Sequence, residues 1–120
     1  MERIIEQGIL YDFYGPLLTK HQQEIYEAVV YNNLSLGEIA AEEGISRQGV
    51  HDLVRRCDKI LADYEDKLHL IKRFGDNKKK LSEIKELTGM LAGETAQMPE
   101  KKEEVKNKIN LIIDELLEEL

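Results

Sequence analysis

The sequence has one cysteine, two prolines and no tryptophan, and it has no long apolar run. A single thiol, Cys57, cannot form a disulfide within the chain, which is typical of proteins of the reducing cytoplasm. No stretch approaches the ~20 apolar residues that a membrane-spanning helix needs. The first residues carry neither a basic leader nor a long apolar segment, so no secretory signal is visible. We therefore expect a cytoplasmic protein without a membrane partner.

Patterns that indicate an enzyme or a bound cofactor are also lacking. The three histidines and Cys57 show no metal-ligand spacing. The glycines are scattered and form no phosphate-binding loop. Cys57 falls on an apolar helix stripe, so we interpret it as a small buried side chain. We expect no catalytic residue, no metal and no cofactor, and hence a binding protein.

What the sequence does contain is a helical pattern. It is 42% hydrophobic and 34% charged, which favours folded helices with solvated outer faces over disorder. Apolar residues recur at spacings of three and four, the period of an amphipathic helix, and no segment convincingly predicts a strand. With start and stop signals, the pattern predicts six helices, near residues 2–14, 19–31, 36–43, 47–71, 78–92 and 99–120.

Gly75-Asp76-Asn77 is a cluster of turn-forming residues and predicts the main boundary of the chain. We expect a DNA-binding helix-turn-helix domain over residues 1–74 and a helical extension over 75–120. The two helices of the extension carry wide apolar stripes that the first domain has little surface left to cover. We expect a homodimer formed through the extension; the alternative is that both helices fold back on their own domain.

The most informative stretch runs from Leu34 to Leu53. Ser35 and Ser46 are placed as N-caps of two successive helices. Gly44 stands where a helix ends in a left-handed residue, and Ala40 is small enough for the second helix to cross closely above it. This pattern predicts a helix-turn-helix.

With Val50 and Leu53 directed inward, the opposite side of the second helix is predicted to present Arg47, His51 and Arg55 at four-residue steps, flanked by Gln48 and Asp52. Such a helix can enter the major groove of DNA. Arg47 suits guanine and Gln48 suits adenine, while the later cations suit phosphates. The candidate DNA-binding residues are Arg47, Gln48, His51, Asp52, Arg55, Arg56 and Lys59.

The net charge of the chain argues against one kind of nucleic-acid binding, whereas the local charge of the second helix is compatible with another. A net charge of −7 argues against nonspecific coating of nucleic acid. Residues 46–60, however, carry four cations and two carboxylates, a local charge of +2. Acidic residues nearby (Glu38, Glu42 and Glu43) would repel phosphates if they faced the DNA. A helix-turn-helix that binds only protein therefore stays open.

Three runs of the sequence resemble the YlxM family of bacteria. They extend from Tyr11 to Thr19, from Leu34 to Ala40 and from Ser46 to Asp52, and the resemblance covers about Ile9 to Phe74. It implies an all-α fold whose helix-turn-helix is similar to region 4 of sigma factors, winged-helix-like without the wing. His51 stands where the family often has an aromatic residue, and Gly49 where alanine is common.

The same resemblance implies a function and partners. The family is a DNA-binding group, which implies a regulator that binds double-stranded DNA. Gene neighbourhood associates it with the signal recognition particle pathway. The alternative is an accessory factor of the protein-targeting machinery that holds a protein or the particle's RNA, without sequence-specific DNA binding.

Overall fold

The computed structural model of the protein describes residues 2–93 and 97–119. These residues form α-helices and one short 3-10 helix, Gly15–Leu17, and contain no strand. The helices are α1 (Glu2–Tyr14), α2 (Lys20–Val30), α3 (Leu36–Glu43), α4 (Arg47–Leu68), α5 (Leu70–Ala92) and α6 (Pro99–Glu119). The predicted all-α helix-turn-helix class is confirmed. Leu120, which we placed in the last helix, lies outside the described residues.

The chain divides into two compact units, Met1–Ile71 and Lys72–Leu120. In the first unit, α4 is the central helix, against which α1, α2 and α3 pack. Its buried stripe comprises Val50, Val54, Cys57 and Leu61, at spacings that place them on one side of a helix. The other buried apolar residues of this core are Tyr14, Leu18, Ile25, Tyr26, Val30, Ile39 and Ala40.

Asp58 of α4 joins three helices through hydrogen bonds. The buried Tyr26 hydroxyl of α2 donates to its Oδ1 at 2.5 Å, and the Gln7 amide of α1 donates to its two oxygens at 2.9 and 3.1 Å. The Arg3 guanidinium approaches to 3.5 Å. Burial is the larger cause and the hydrogen bond to the Asp58 carboxylate the next, and both raise the pKa of Tyr26 above its ordinary value. Because bonds to a charged acceptor are stronger than neutral ones, Asp58 fixes α1 and α2 against α4.

The junction between α4 and α5 is a single left-handed residue, His69, with a φ of 53°. The buried Tyr14 hydroxyl donates to Glu65 Oε1 at 2.5 Å and accepts from the Leu70 N–H at 3.1 Å. Glu65 Oε1 in turn accepts from the Ile71 N–H at 3.0 Å. The first N–H groups of α5, which lack partners within their own helix, are thus satisfied by side chains.

Two predictions about this region were wrong. The helix that we expected to continue to Ile71 ends at Leu68, and Gly75-Asp76-Asn77 lies inside α5 and not at a turn. Glycine, aspartate and asparagine cost about 1 kcal/mol or less each inside a helix, so they weaken a helix without ending it. The break at His69 is instead stabilised by Tyr14 and Glu65, whose contribution no local pattern reveals.

The second unit consists of α6 and most of α5. Lys80, near the middle of α5, lies 2.8 Å from Glu119 and 3.8 Å from Glu115 at the end of α6. Leu87 and Met90, further along α5, line a groove with Lys108 and Leu111, which come earlier on α6. The two helices therefore run antiparallel. Val105 is the only buried apolar residue among those that the structure describes in this unit.

The close crossing of α3 and α4 can be tested at Ala40, which is 8% exposed. Ala40→Glu would place an uncompensated charge in the core, and we expect it to lower the free energy of unfolding by several kcal/mol. Ala41→Glu is the matched control, because Ala41 is the exposed neighbour on the same helix. Urea unfolding followed by circular dichroism measures both. Equal midpoints for the two variants would contradict the packing described here.

Burial raises the pKa of the Cys57 thiol from 9.0 to about 11. The unfolded chain therefore ionises first, and its thiolate draws the equilibrium toward unfolding as the pH rises through this window. We expect the difference in unfolding free energy between the parent and Cys57→Ala to be constant below pH ~9 and to narrow toward pH ~11. Chemical unfolding at a series of pH values measures it. A difference that stays constant or widens would contradict a buried neutral thiol.

Candidate nucleic-acid interface

The helix-turn-helix is formed by α3, a short turn and α4. Gly44 ends α3 with a φ of 70°, and the Ala40 carbonyl accepts from the Ile45 N–H at 3.1 Å. Ser46 then caps α4, its Oγ accepting from the Gly49 N–H at 2.9 Å. Gly44 ends α3 and Ser46 begins α4, as the sequence predicted. The direction in which α4 starts is therefore set by local signals.

All seven candidate DNA-binding residues are exposed on the first four turns of α4. An α-helix advances about 100° per residue. On this geometry Gln48, Asp52, Arg55 and Lys59 lie opposite the buried stripe and form what we call the outer face of α4. Arg47, His51 and Arg56 flank it.

Arg47 lies at the junction of the two helices. Its guanidinium rests beside Gly37 of α3, where an added Cβ would come within 3.0 Å of Nη2 and 3.1 Å of Nε. The absence of a side chain at Gly37 therefore makes room for it. Arg47 is held at the edge of the outer face, closer to α3 than helix periodicity alone suggests.

Asp52 lies in the middle of the outer face. Its Oδ1 accepts a hydrogen bond from the Gln48 side-chain amide at 2.9 Å, and His51 Nδ1 lies 3.7 Å from the same oxygen. The Gln48 amide N–H is thereby engaged. Gln48, which we expected to read adenine, is thus joined to a carboxylate that phosphates would repel.

The cations further along α4 have no such neighbour. In the described part of the chain, Arg55, Arg56 and Lys59 form no ion pair within 4.0 Å. Asp58 faces Tyr26 and Gln7, so it adds no carboxylate to the outer side of the helix. What remains exposed on these turns is four cations and one carboxylate, a local charge of +3. The exposed side of α4 is thus more positive than the tally along the sequence.

Two of the three acidic residues near α4, Glu38 and Glu43, have partners, and Glu42 is exposed. Glu38 Oε1 accepts from the Ser35 hydroxyl at 3.1 Å at the start of α3. Glu43 Oε2 lies 3.9 Å from His21 Nδ1, and with Glu24 these residues offer three ligand atoms within 4.8 Å of one another. We expected no metal site and named no such cluster. Spacing along the chain could not reveal it, because Glu43 lies on a different helix from the other two.

The search for a membrane span gives a negative result. No helix in the described residues is both long and apolar enough to cross a bilayer.

Fold and geometry thus define the class of the protein as a helix-turn-helix protein with exposed cations on the first four turns of its second helix. The model of one family, UPF0122, described as "Putative helix-turn-helix protein, YlxM / p13 like", matches residues 1–105. The chain belongs to this family. The match continues well beyond Phe74, where we expected the resemblance to end, so the family pattern includes α5 and the start of α6.

Relatives of the chain carry the same family name. A UPF0122 protein of Caldanaerobacter subterraneus subsp. tengcongensis is 50% identical over 78 residues, which are 65% of this chain and 67% of that protein. A UPF0122 protein of Desulforamulus reducens is 39% identical over 110 residues, 91% of this chain and 94% of its own length. One from Bacillus velezensis is 38% identical over 94 residues, 78% and 86% of the two chains. The printed names of the family and of these relatives describe no enzymatic activity.

Proposed function

We propose that the protein is a DNA-binding regulator that docks α4 in the major groove of double-stranded DNA. The observation that supports this proposal is the exposed side of residues 47–59 of α4, with four cations, one carboxylate and no ion pair at Arg55, Arg56 or Lys59 within the described chain. Unpaired cations on a recognition helix gain from releasing the counterions of phosphates. A role on DNA would also place the protein in the cytoplasm, where we expect it.

Under this proposal the residues of α4 divide by position. Arg47, Gln48 and His51 lie at its N-terminal end, the part of a recognition helix that reaches base edges. Arg55, Arg56 and Lys59 lie further along, where contacts to phosphates position the helix without reading sequence. Specificity would therefore depend on the first turns and affinity on the later ones.

The proposal is tested by the double variant Arg47→Ala, Arg55→Ala. Arg47 is placed to contact a base edge, a contact worth about 1–3 kcal/mol, and Arg55 to contact a phosphate, so binding to a duplex selected from a random library should weaken strongly when both are lost. The control is Lys20→Ala, Lys67→Ala, which removes the same charge away from the outer face. Fluorescence anisotropy at several salt concentrations measures both, and the parent should lose affinity steeply as salt rises. Equal affinity of the two double variants would show that α4 does not read DNA.

A second candidate function is favoured by one observation, the position of Asp52. A carboxylate in the middle of the outer face opposes phosphates but attracts a basic partner. The resemblance to the YlxM family, with its link by gene neighbourhood to the signal recognition particle pathway, suggests which partner to examine. The protein would then be an accessory factor that holds a protein or RNA of the targeting machinery through the same helices.

Asp52→Asn distinguishes the two functions. If DNA is the partner, removing this charge should tighten binding to a random-sequence duplex severalfold, because a carboxylate no longer repels the phosphates that the neighbouring cations attract. It should weaken binding if the partner is a basic protein. Asp63→Asn, also on α4 but beyond the candidate residues, is the control for net charge. Anisotropy with DNA, beside capture of the particle's protein and RNA, gives the measurement. Weaker DNA binding together with lost protein capture would reject the DNA proposal.

A further inference from the structure

The second unit contains an apolar groove between its two helices, with a volume of about 380 Å³. Its apolar lining is Leu87 and Met90 of α5 and Leu111 and Ile112 of α6. Met90 is 46% exposed and Leu111 is 62% exposed. Large apolar side chains left in water at the mouth of a groove favour association, since covering them removes apolar surface from water.

Two helices are too few to bury these side chains. Each helix of an antiparallel pair has one neighbour, while an amphipathic stripe covers a hundred degrees or more of its surface. In the described part of this unit, Val105 alone among the apolar residues is buried. Exposed apolar residues remain on both helices: Leu81, Met90, Leu111, Ile113 and Leu117.

The rim of the groove indicates which partner fits. Glu83 and Glu86 line it on the α5 side, and Lys108 lines it on the α6 side. Lys108 has only one ion-pair neighbour in the described chain, Glu104 at 3.8 Å on its own helix. The groove therefore has one acidic wall and one basic wall. A second surface with the same two walls, placed face to face with it, can bring each wall opposite a wall of the other charge.

We propose that a second copy of the chain covers this groove, and that the two grooves face each other about a two-fold axis running along the hairpin. In this arrangement α6 of each copy lies over α5 of the other. Lys108 then faces the acidic wall of the other copy, and the reciprocal contact follows from the symmetry. The proposal concerns α5 and α6 only and does not rest on DNA binding.

The charges at the other end of the hairpin fit the same arrangement. Residues 72–80 of α5 contain five cations and one carboxylate, and residues 114–119 of α6 contain four carboxylates and no cation. Lys80, at the end of the cationic segment, lies beside Glu115 and Glu119 of the acidic segment in one chain. A two-fold axis along the hairpin keeps these residues at the same height, so Lys80 of each copy also lies over the acidic segment of the other. A uniformly acidic or basic partner would match only half of this surface.

Two leucines of α6 test the apolar part of the proposal. Leu111 and Leu117 are both 62% exposed, but only Leu111 lines the groove. We expect the full chain to be a dimer at tens of micromolar, and Leu111→Ser to weaken dimerisation about 100-fold, because the symmetry removes two leucines per interface. Leu117→Ser should leave it within a few-fold of the parent. Sedimentation equilibrium measures all three. A monomeric parent, or equal loss in both variants, would overturn the proposal.

A charge exchange tests the orientation of the two copies. Lys108→Glu gives a groove with two acidic walls, and the double variant Glu83→Lys, Glu86→Lys gives one with two basic walls. Each should dimerise poorly with itself, while an equimolar mixture should form a heterodimer about as stable as the parent. Circular dichroism confirms that each variant retains its helices. A mixture that stays monomeric, or variants that still self-associate like the parent, would overturn the arrangement.

Discussion

A carboxylate held between helices joins the core of the first unit. Asp58 accepts hydrogen bonds from Tyr26 and Gln7, which lie on two different helices. A half-buried carboxylate without such donors is costly, so these bonds favour the docking of α1 and α2 on α4. Together with the apolar stripe of α4, they fix which side of the helix stays exposed. Arg55 and Lys59 lie on that exposed side, and the proposed contacts with DNA depend on it.

The parts of the fold that were predicted from sequence are those governed by near neighbours. Gly44 and Ser46 end one helix and begin the next through bonds that span three to five residues. The helix break at His69 could not be predicted in this way, because Tyr14 is 56 residues from the N–H that it satisfies. The turn propensity around Gly75 was a genuine local signal, but a continuous helix outweighed it.

In the candidate site, too, features set by near neighbours in the sequence were predictable and features set by distant residues were not. All seven candidate residues are exposed on α4, because the apolar stripe fixes the rotation of the helix. The prediction was wrong about the centre of the exposed face, which is formed by Gln48, Asp52, Arg55 and Lys59, with Arg47 and His51 at its side. The partners of the candidate residues could not be predicted, since the guanidinium of Arg47 rests on a glycine of the neighbouring helix. The local charge of +2 counted from the sequence includes Asp58, although this carboxylate is directed into the core. Its orientation depends on Tyr26, which is 32 residues away.

The left-handed junction at His69 has a consequence for how the chain folds as it is made. Such a conformation costs about 1–2 kcal/mol for a residue other than glycine, so it persists only while Tyr14 and Glu65 hold the N–H groups that follow. Tyr14 is synthesised 51 residues before Glu65. The hydrogen bonds of its hydroxyl can therefore form only after the end of α4 and the start of α5 have been made. The last residue of α1 and the first N–H groups of α5 acquire these partners together.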